Sequence, residues 1–135
     1  MKARLRRTAA IYGARASDYL RYWAPALAEL AQPLVDRLPA QLGVLVDIGC
    51  GVGTIATSLQ PRARRVIGLD LTEGMLRESK GLRAVVADAE HAPLREACAD
   101  TAMSTFALQH IPRPGAVYAE AARILKRGGV FATAT

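Results

Sequence analysis

The chain has 135 residues, 51% hydrophobic and 22% charged with only 5% aromatic, which suits one globular domain with a buried core and excludes a disordered tail. Gly, Arg, Asp or Pro interrupts every apolar stretch before the roughly 18 residues of a membrane-spanning helix, so that role is excluded. The formal charge of +6 invites a nucleic-acid reading, yet residues 1–21 carry six basic residues against Asp18 alone, or +5, and the remainder is nearly neutral, so nucleic acid is not an expected partner.

The first 15 residues are basic, lack the apolar run of a cleaved secretory signal, and read as a charged arm. Ser17 to Leu38 shows the apolar spacing of one or two amphipathic helices, which Pro25 and Pro33 are expected to divide. Residues 1–40 thus read as a helical cap ahead of a domain at 41–135. A strand is predicted at Val44 to Ile48, opening into Gly49-Cys50-Gly51-Val52-Gly53. Further strands follow at Arg65 to Asp70, Arg83 to Asp88, more weakly Thr101 to Phe106, and Val130 to Thr135 after a helix stop at Gly128-Gly129. Helices are predicted at about 53–60, 73–80 and 115–126, with Thr72 as N-cap of the second. Short apolar runs alternating with helical patterns are the signature of βα units and a parallel sheet. Cys50 and Cys98 are far apart and have no Cys or His at ligand spacing, so neither a metal site nor a disulfide is expected, and a reducing, cytoplasmic setting is.

The glycine loop carries the chemistry. It follows a strand and opens a helix, a context in which glycines permit a tight turn and let the backbone approach a ligand, with helix N–H groups aimed at an anionic group. A dinucleotide fingerprint requires a third glycine where this chain has Thr54. Asp47, two positions before Gly49, would repel a pyrophosphate but suits an ammonium group. Asp70 lies 21 residues after Gly49, close to the roughly 20-residue spacing at which a carboxylate takes ribose hydroxyls.

With these residues the chain resembles the class I methyltransferases that use S-adenosylmethionine. Residues 44–54 (Val-Leu-Val-Asp-Ile-Gly-Cys-Gly-Val-Gly-Thr) resemble the family's first motif and residues 66–76 its second, while residues 85–94 are similar to its adenine-contacting segment. Phe106 to His110, then Glu120 to Phe131, resemble its small-molecule branch. The resemblance implies a Rossmann-like, doubly wound parallel sheet in the order 3-2-1-4-5 with helices on both faces. It implies S-adenosylmethionine as cofactor and a small-molecule acceptor as partner. It places Gly49, Cys50, Gly51 and Gly53 around the methionine portion, Asp47 on its ammonium side, Asp70 on the ribose, Leu71 or Met75 against adenine, and Asp88 with the Ala89 backbone at the adenine amino group. Phe106 to Gln109 would line the site near the methyl, and Tyr12, Tyr19 and Trp23 are candidates for an aromatic lid over the sulfonium, or for core packing.

Two departures accompany the resemblance. Ala99 precedes Asp100 where the family usually has an aromatic residue, which predicts a loose pocket floor. The family's sheet has seven strands and this sequence shows five, so an alternative reading is a truncated cofactor-binding or assembly module, with the fifth strand an exposed edge through which copies could associate. Methyl transfer from a sulfonium is an in-line displacement that needs positioning above all, with a base only for a hydroxyl or protonated amine. His110, after the fourth strand, is the candidate base. His91 reads as a loop residue and Cys98 as structural. Cys50 reads as a small residue filling the turn, though a helix N-terminus there would lower its pKa.

Overall fold

In the computed structural model, which describes residues 2–135 apart from the side chains of Lys2 and Leu5, Val44, Leu45, Val46 and Ile48 are buried in strand β1 (Gly43–Ile48). Apolar residues at consecutive positions suit a strand covered on both faces. β1 accordingly lies mid-sheet, parallel to β2 (Ala63–Asp70) on one side and to β4 (Ala99–Thr105) on the other. β3 (Arg83–Val86) pairs with β2 and β5 (Leu125–Ala134) with β4, giving a five-stranded all-parallel sheet in the order β3-β2-β1-β4-β5. This is the Rossmann-like α/β arrangement that the resemblance implies.

Alternation along the strands divides the core. Val46, Ile48 and Leu69 pack with Val117, Ala121 and Ile124 of α6 (Pro114–Ile124). Leu45, Val66 and Met103 pack with Ala56 of α4 (Thr54–Ser58), with Leu59, and with Leu38 and Leu42 beyond α3 (Ala24–Arg37). A third, smaller cluster joins Val52 and Met75, the latter in α5 (Glu73–Glu78), to Ala16 and Ala24, with Tyr12 and Tyr19 against it.

The N-terminal residues depart from a solvated arm: Lys2–Ala14 form helix α1, followed by a short α2 (Ala16–Asp18) and a π-helical turn (Tyr19–Trp23). The α1 and α5 backbones meet where Gly13 crosses Gly74; a Cβ on Gly74 would lie 2.7 Å from the Gly13 Cα. The prolines do not divide the following helix. Pro25 occupies the first turn of α3, where its missing N–H costs nothing, and α3 continues through Pro33, whose carbonyl accepts Arg37 Nη1 at 2.7 Å. The division falls instead at Arg15 and the π turn.

Two predicted helix ends shift, and the Thr72 cap keeps its predicted place. The helix after the glycine loop is only Thr54–Ser58, followed by a 3-10 turn at Gln60–Arg62. Thr72 stands at the N-cap of α5 without a side-chain cap bond. α6 stops at Ile124 because β4 pairs with the chain from Leu125 onward, and Gly128-Gly129 belong to a bulge in β5, not to a helix stop. There the step from Ala99 to Thr101 on β4 faces Leu125 to Val130 on β5, with Gly128 at φ +81°. Asp100, inside the bulge, accepts hydrogen bonds from Val44 N and Lys126 Nζ at 2.8 and 2.9 Å. Ala99 is fully buried and β4, though polar, is buried along most of its length, because Thr101 and Ser104 donate their hydroxyls to the carbonyls of Leu42 and Ile48. The strand is therefore packed without an aromatic residue before Asp100.

Candidate functional site

A cavity of about 840 Å³ opens at the carboxyl ends of β1, β2 and β4. In open α/β sheets that end is where ligands bind, because the loops that leave adjacent strands there diverge.

The glycine loop forms its base. Gly49, Gly51 and Gly53 all have positive φ, at +77°, +55° and +77°, a conformation that L side chains resist. Gly49 and Cys50 donate their N–H groups to the Leu69 carbonyl at 2.7 and 3.0 Å, Gly51 donates to Asp70 Oδ2 at 2.8 Å, and Gly53 donates to the Cys50 carbonyl at 2.9 Å. The Gly49, Cys50 and Gly51 amides fasten the loop to the end of β2, and the Gly53 amide closes the turn within the loop. The five-residue α4 adds little dipole. Gly53 turns away from the cavity; a Cβ there would stand 2.8 Å from Leu82 Cδ2.

Three carboxylates line the cavity, at the carboxyl ends of β1 and β2 and just beyond that of β3, which stops at Val86, short of the predicted Asp88. Asp47 is 1% exposed and its Oδ1 has no hydrogen-bond partner among the described residues. Burial, and then the charge of Asp70, push its pKa up to about 7. Asp70 accepts Gly51 N on one oxygen and Thr72 N on the other, both at 2.8 Å. Burial raises its pKa and those two amides oppose the rise. Asp88 holds the Glu90 N–H at 2.9 Å in an Asx turn.

The remaining predicted residues converge on the same space. Leu71, Met75, Ala89, Phe106, Tyr19 and Cys50 line the cavity, as do Tyr12, Trp23 and His110. Phe106 is held at φ +55° with its N–H donated to the Ala134 carbonyl at 2.8 Å, an unusual conformation for an aromatic residue at a strand end. Of the segment after it, Leu108 turns into the core while Gln109 and His110 face the cavity. Tyr12 is edge-on to both Tyr19 and His110, and its hydroxyl shares a 3.0 Å hydrogen bond with His110 Nε2. Burial raises the Tyr19 hydroxyl, with smaller contributions from Tyr12 and Asp70. Cys50 fills the turn as its size suggests, and no lowering of its pKa by a helix N-terminus prevails: burial, and then Asp47 and Asp70, drive its thiol pKa upward. Its sulfur fills the space above Gly68, where a Cβ would lie 2.6 Å away. His91 lies outside the cavity lining with its side chain exposed, and Cys98 packs beside the core.

Sequence reasoning missed Thr8, Ala9 and Ile11 of α1, which form part of the cavity wall. The signal was present in Ala9, Tyr12 and Ala16, three and four positions apart, but Arg4, Arg6 and Arg7 before them and Arg15 among them masked it.

The sequence model of the methyltransferase domain family matches residues 46–133. The chain belongs to the class I S-adenosylmethionine-dependent methyltransferases. Malonyl-acyl-carrier-protein O-methyltransferase of Geobacter sulfurreducens is 34% identical over 99 residues, covering 67% of this chain and 37% of that protein. Demethylmenaquinone methyltransferase of Thermobifida fusca is 33% identical over 119 residues, covering 81% of this chain and 48% of its own length. The Haloferax volcanii putative methyltransferase solved in complex with the Trm112 methyltransferase activator superposes with a TM-score of 0.77 at 27% identity, over 90% of this chain and 58% of that one. This methyltransferase chain thus spans less than two thirds of each of these relatives. Among its described residues, no helix is long and apolar enough to cross a membrane.

Proposed function

We propose that this chain binds S-adenosylmethionine and serves the transfer of its methyl group to a small-molecule acceptor, with residues 1–40 as a cap over a cofactor-binding domain at 41–135. The observation that carries the reading is Asp47 Oδ1, a buried carboxylate oxygen without a partner at the base of the cavity. A buried acceptor left unsatisfied costs about 1–3 kcal/mol, more for a charged group, and an ammonium group placed against it removes that cost. The donor set therefore fits the methionine end of the cofactor.

The other roles follow from position. Gly49, Cys50 and Gly51 bring backbone within reach of the methionine portion because no bulky group intervenes, and Gly53 shapes the turn from beneath. Asp70, already oriented by two amides, keeps lone pairs for the ribose hydroxyls. Leu71 and Met75 offer apolar surface to adenine, and Asp88 with the Ala89 backbone reads its amino edge. When bound, S-adenosylmethionine supplies a methyl group activated by a sulfonium. The chain's own part is alignment and exclusion of water: Phe106, Tyr12 and Tyr19 wall the region nearest the methyl with ring surface that suits a cation. His110 accepts a proton from an acceptor hydroxyl or ammonium group. The two named relatives act on unlike acceptors, a carrier-bound malonyl group and a demethylmenaquinone, so the acceptor is assigned here only as a small molecule.

Calorimetric titration with S-adenosylhomocysteine tests this reading. Binding is expected, and Asp70→Ala should weaken it by about 1.5–3 kcal/mol, the worth of hydrogen bonds to a charged acceptor. Absence of binding to the parent chain would overturn it.

A further inference from the structure

Asp88 and Ala89 lie on a segment without regular secondary structure between β3 and β4, and such a segment holds its shape only through its anchors. The anchor nearest the cavity is Glu90. It is 5% exposed, an unusual place for a carboxylate. Its oxygens receive three donors from Arg113: Nε at 2.9 Å and Nη2 on one oxygen, and the backbone N–H at 3.2 Å on the other. Its own N–H is the donor that holds Asp88 Oδ1 at 2.9 Å. Arg113 stands three positions after His110 and immediately before α6. A second fastening lies farther along, where Glu120 accepts Ala92 N at 2.8 Å and Arg123 donates to the Ala92 and Leu94 carbonyls at 2.9 and 2.8 Å. The later half of the segment is thus tied to α6 independently of Glu90.

We propose that Glu90 is a positioning residue for adenine recognition: with Arg113 it holds the Asp88 carboxylate at the adenine edge and ties that edge to the wall carrying Phe106 and His110. This rests on the reading that Asp88 accepts from the adenine amino group. The Glu90 side chain is buried while that of Arg113 is 55% exposed, and a buried carboxylate is a poor device for stability alone, since an apolar residue of similar volume would serve as well. Its advantage is direction, because Arg113 Nε and Nη2 close on one Glu90 oxygen while the Arg113 backbone N–H holds the other, and charge-assisted bonds from both sides leave the carboxylate little rotation. Neither residue touches the reacting atoms.

The test compares two probes, S-adenosylhomocysteine and S-inosylhomocysteine, whose 6-oxo group and N1–H reverse the donor and acceptor that Asp88 and Ala89 face. The parent chain should prefer the adenosyl ligand by about tenfold or more, the worth of one hydrogen bond to a charged group. Glu90→Gln keeps the shape and removes the charge; it should lower the preference to about threefold or less, with the loss falling on the adenosyl ligand. Arg113→Lys, which keeps the charge and removes the fork, should act in the same direction and serves if the first variant does not fold. A role in stability alone would weaken both ligands equally. If Asp88→Asn abolishes the preference while Glu90→Gln and Arg113→Lys leave it intact, the inference is overturned and the proposed function stands. If the parent chain binds both ligands alike, the Asp88 assignment falls and the inference with it.

Discussion

The Tyr12 hydroxyl and His110 Nε2 share a hydrogen bond 3.0 Å long although 98 positions separate them in sequence. Tyr12 comes from α1 and His110 from the turn after β4, so the bond joins the N-terminal helix to the sheet across the cavity. It also orients the imidazole, whose Nε2 accepts from the phenol when unprotonated and donates to it when protonated.

Tyr12→Phe removes that bond and keeps the ring stacking. Being exposed, the bond is worth only about 0.5–1 kcal/mol, so thermal stability should change little. S-adenosylhomocysteine should dissociate about two- to fivefold faster, as expected when a closing contact of that strength is lost. Stopped-flow displacement measures this, and an unchanged off-rate would show that the cap does not close through Tyr12.

Asp47 predicts a pH dependence of definite sign. Its folded pKa of about 7 lies above the ordinary carboxylate value of 3.8, so the folded chain binds an extra proton between those values. The associated stability is fully present below the unfolded pKa and is lost as pH rises through about 7. Without ligand, Asp47→Asn should therefore stabilise the chain at pH 8 relative to the parent, by on the order of 1–4 kcal/mol, and should make less difference at pH 5. An ammonium-bearing ligand favours the carboxylate, so S-adenosylhomocysteine binding near pH 6.5 should release protons from the parent and not from Asp47→Asn. Titration in buffers of different ionisation enthalpy measures that release.

The Gly13–Gly74 crossing predicts how the cap can be displaced. Gly74→Ala places a methyl 2.7 Å from the Gly13 Cα and 2.9 Å from its carbonyl oxygen, both backbone atoms without freedom to yield. α1 should shift from α5 at a cost of about 1–3 kcal/mol, as in other overpacked contacts. The sheet is built from other residues and should remain folded by circular dichroism. Trp23 is the single tryptophan and lines the cavity, so its emission should report the shift, together with a loss of S-adenosylhomocysteine affinity.

β5 predicts self-association. It is an edge strand of ten residues, and Val130 on it is 38% exposed. Unpaired edge groups invite a second copy, and a lysine discourages pairing. Size-exclusion elution should move to larger size as concentration rises, and Val130→Lys should reduce the shift. A parent chain that stays monomeric across the range would count against edge pairing.

Most of the sheet and much of the site could be read before any coordinates. β1 is apolar but for Asp47 near its end, the alternate glycines sit where the backbone takes positive φ, and Asp47, Asp70 and Asp88 fall at or just beyond the ends of consecutive strands, because near-neighbour sterics and strand period act over a few residues. The same local rules misplaced α1, since its apolar spacing is diluted by arginines, and misjudged Gly128-Gly129, since a bulge exists only opposite a partner strand. They could not reach what burial and long-range pairing decide. The Cys50 thiol pKa is driven upward, Asp47 keeps an oxygen without a partner, Glu90 meets Arg113 and Tyr12 meets His110 only because the folded sheet removes water from some groups and brings distant ones together. Desolvation and contact between remote side chains are properties of the packed chain, so the sequence by itself determined the scaffold and its acidic strand ends, and the tertiary structure decided which of those groups are strained, free or held.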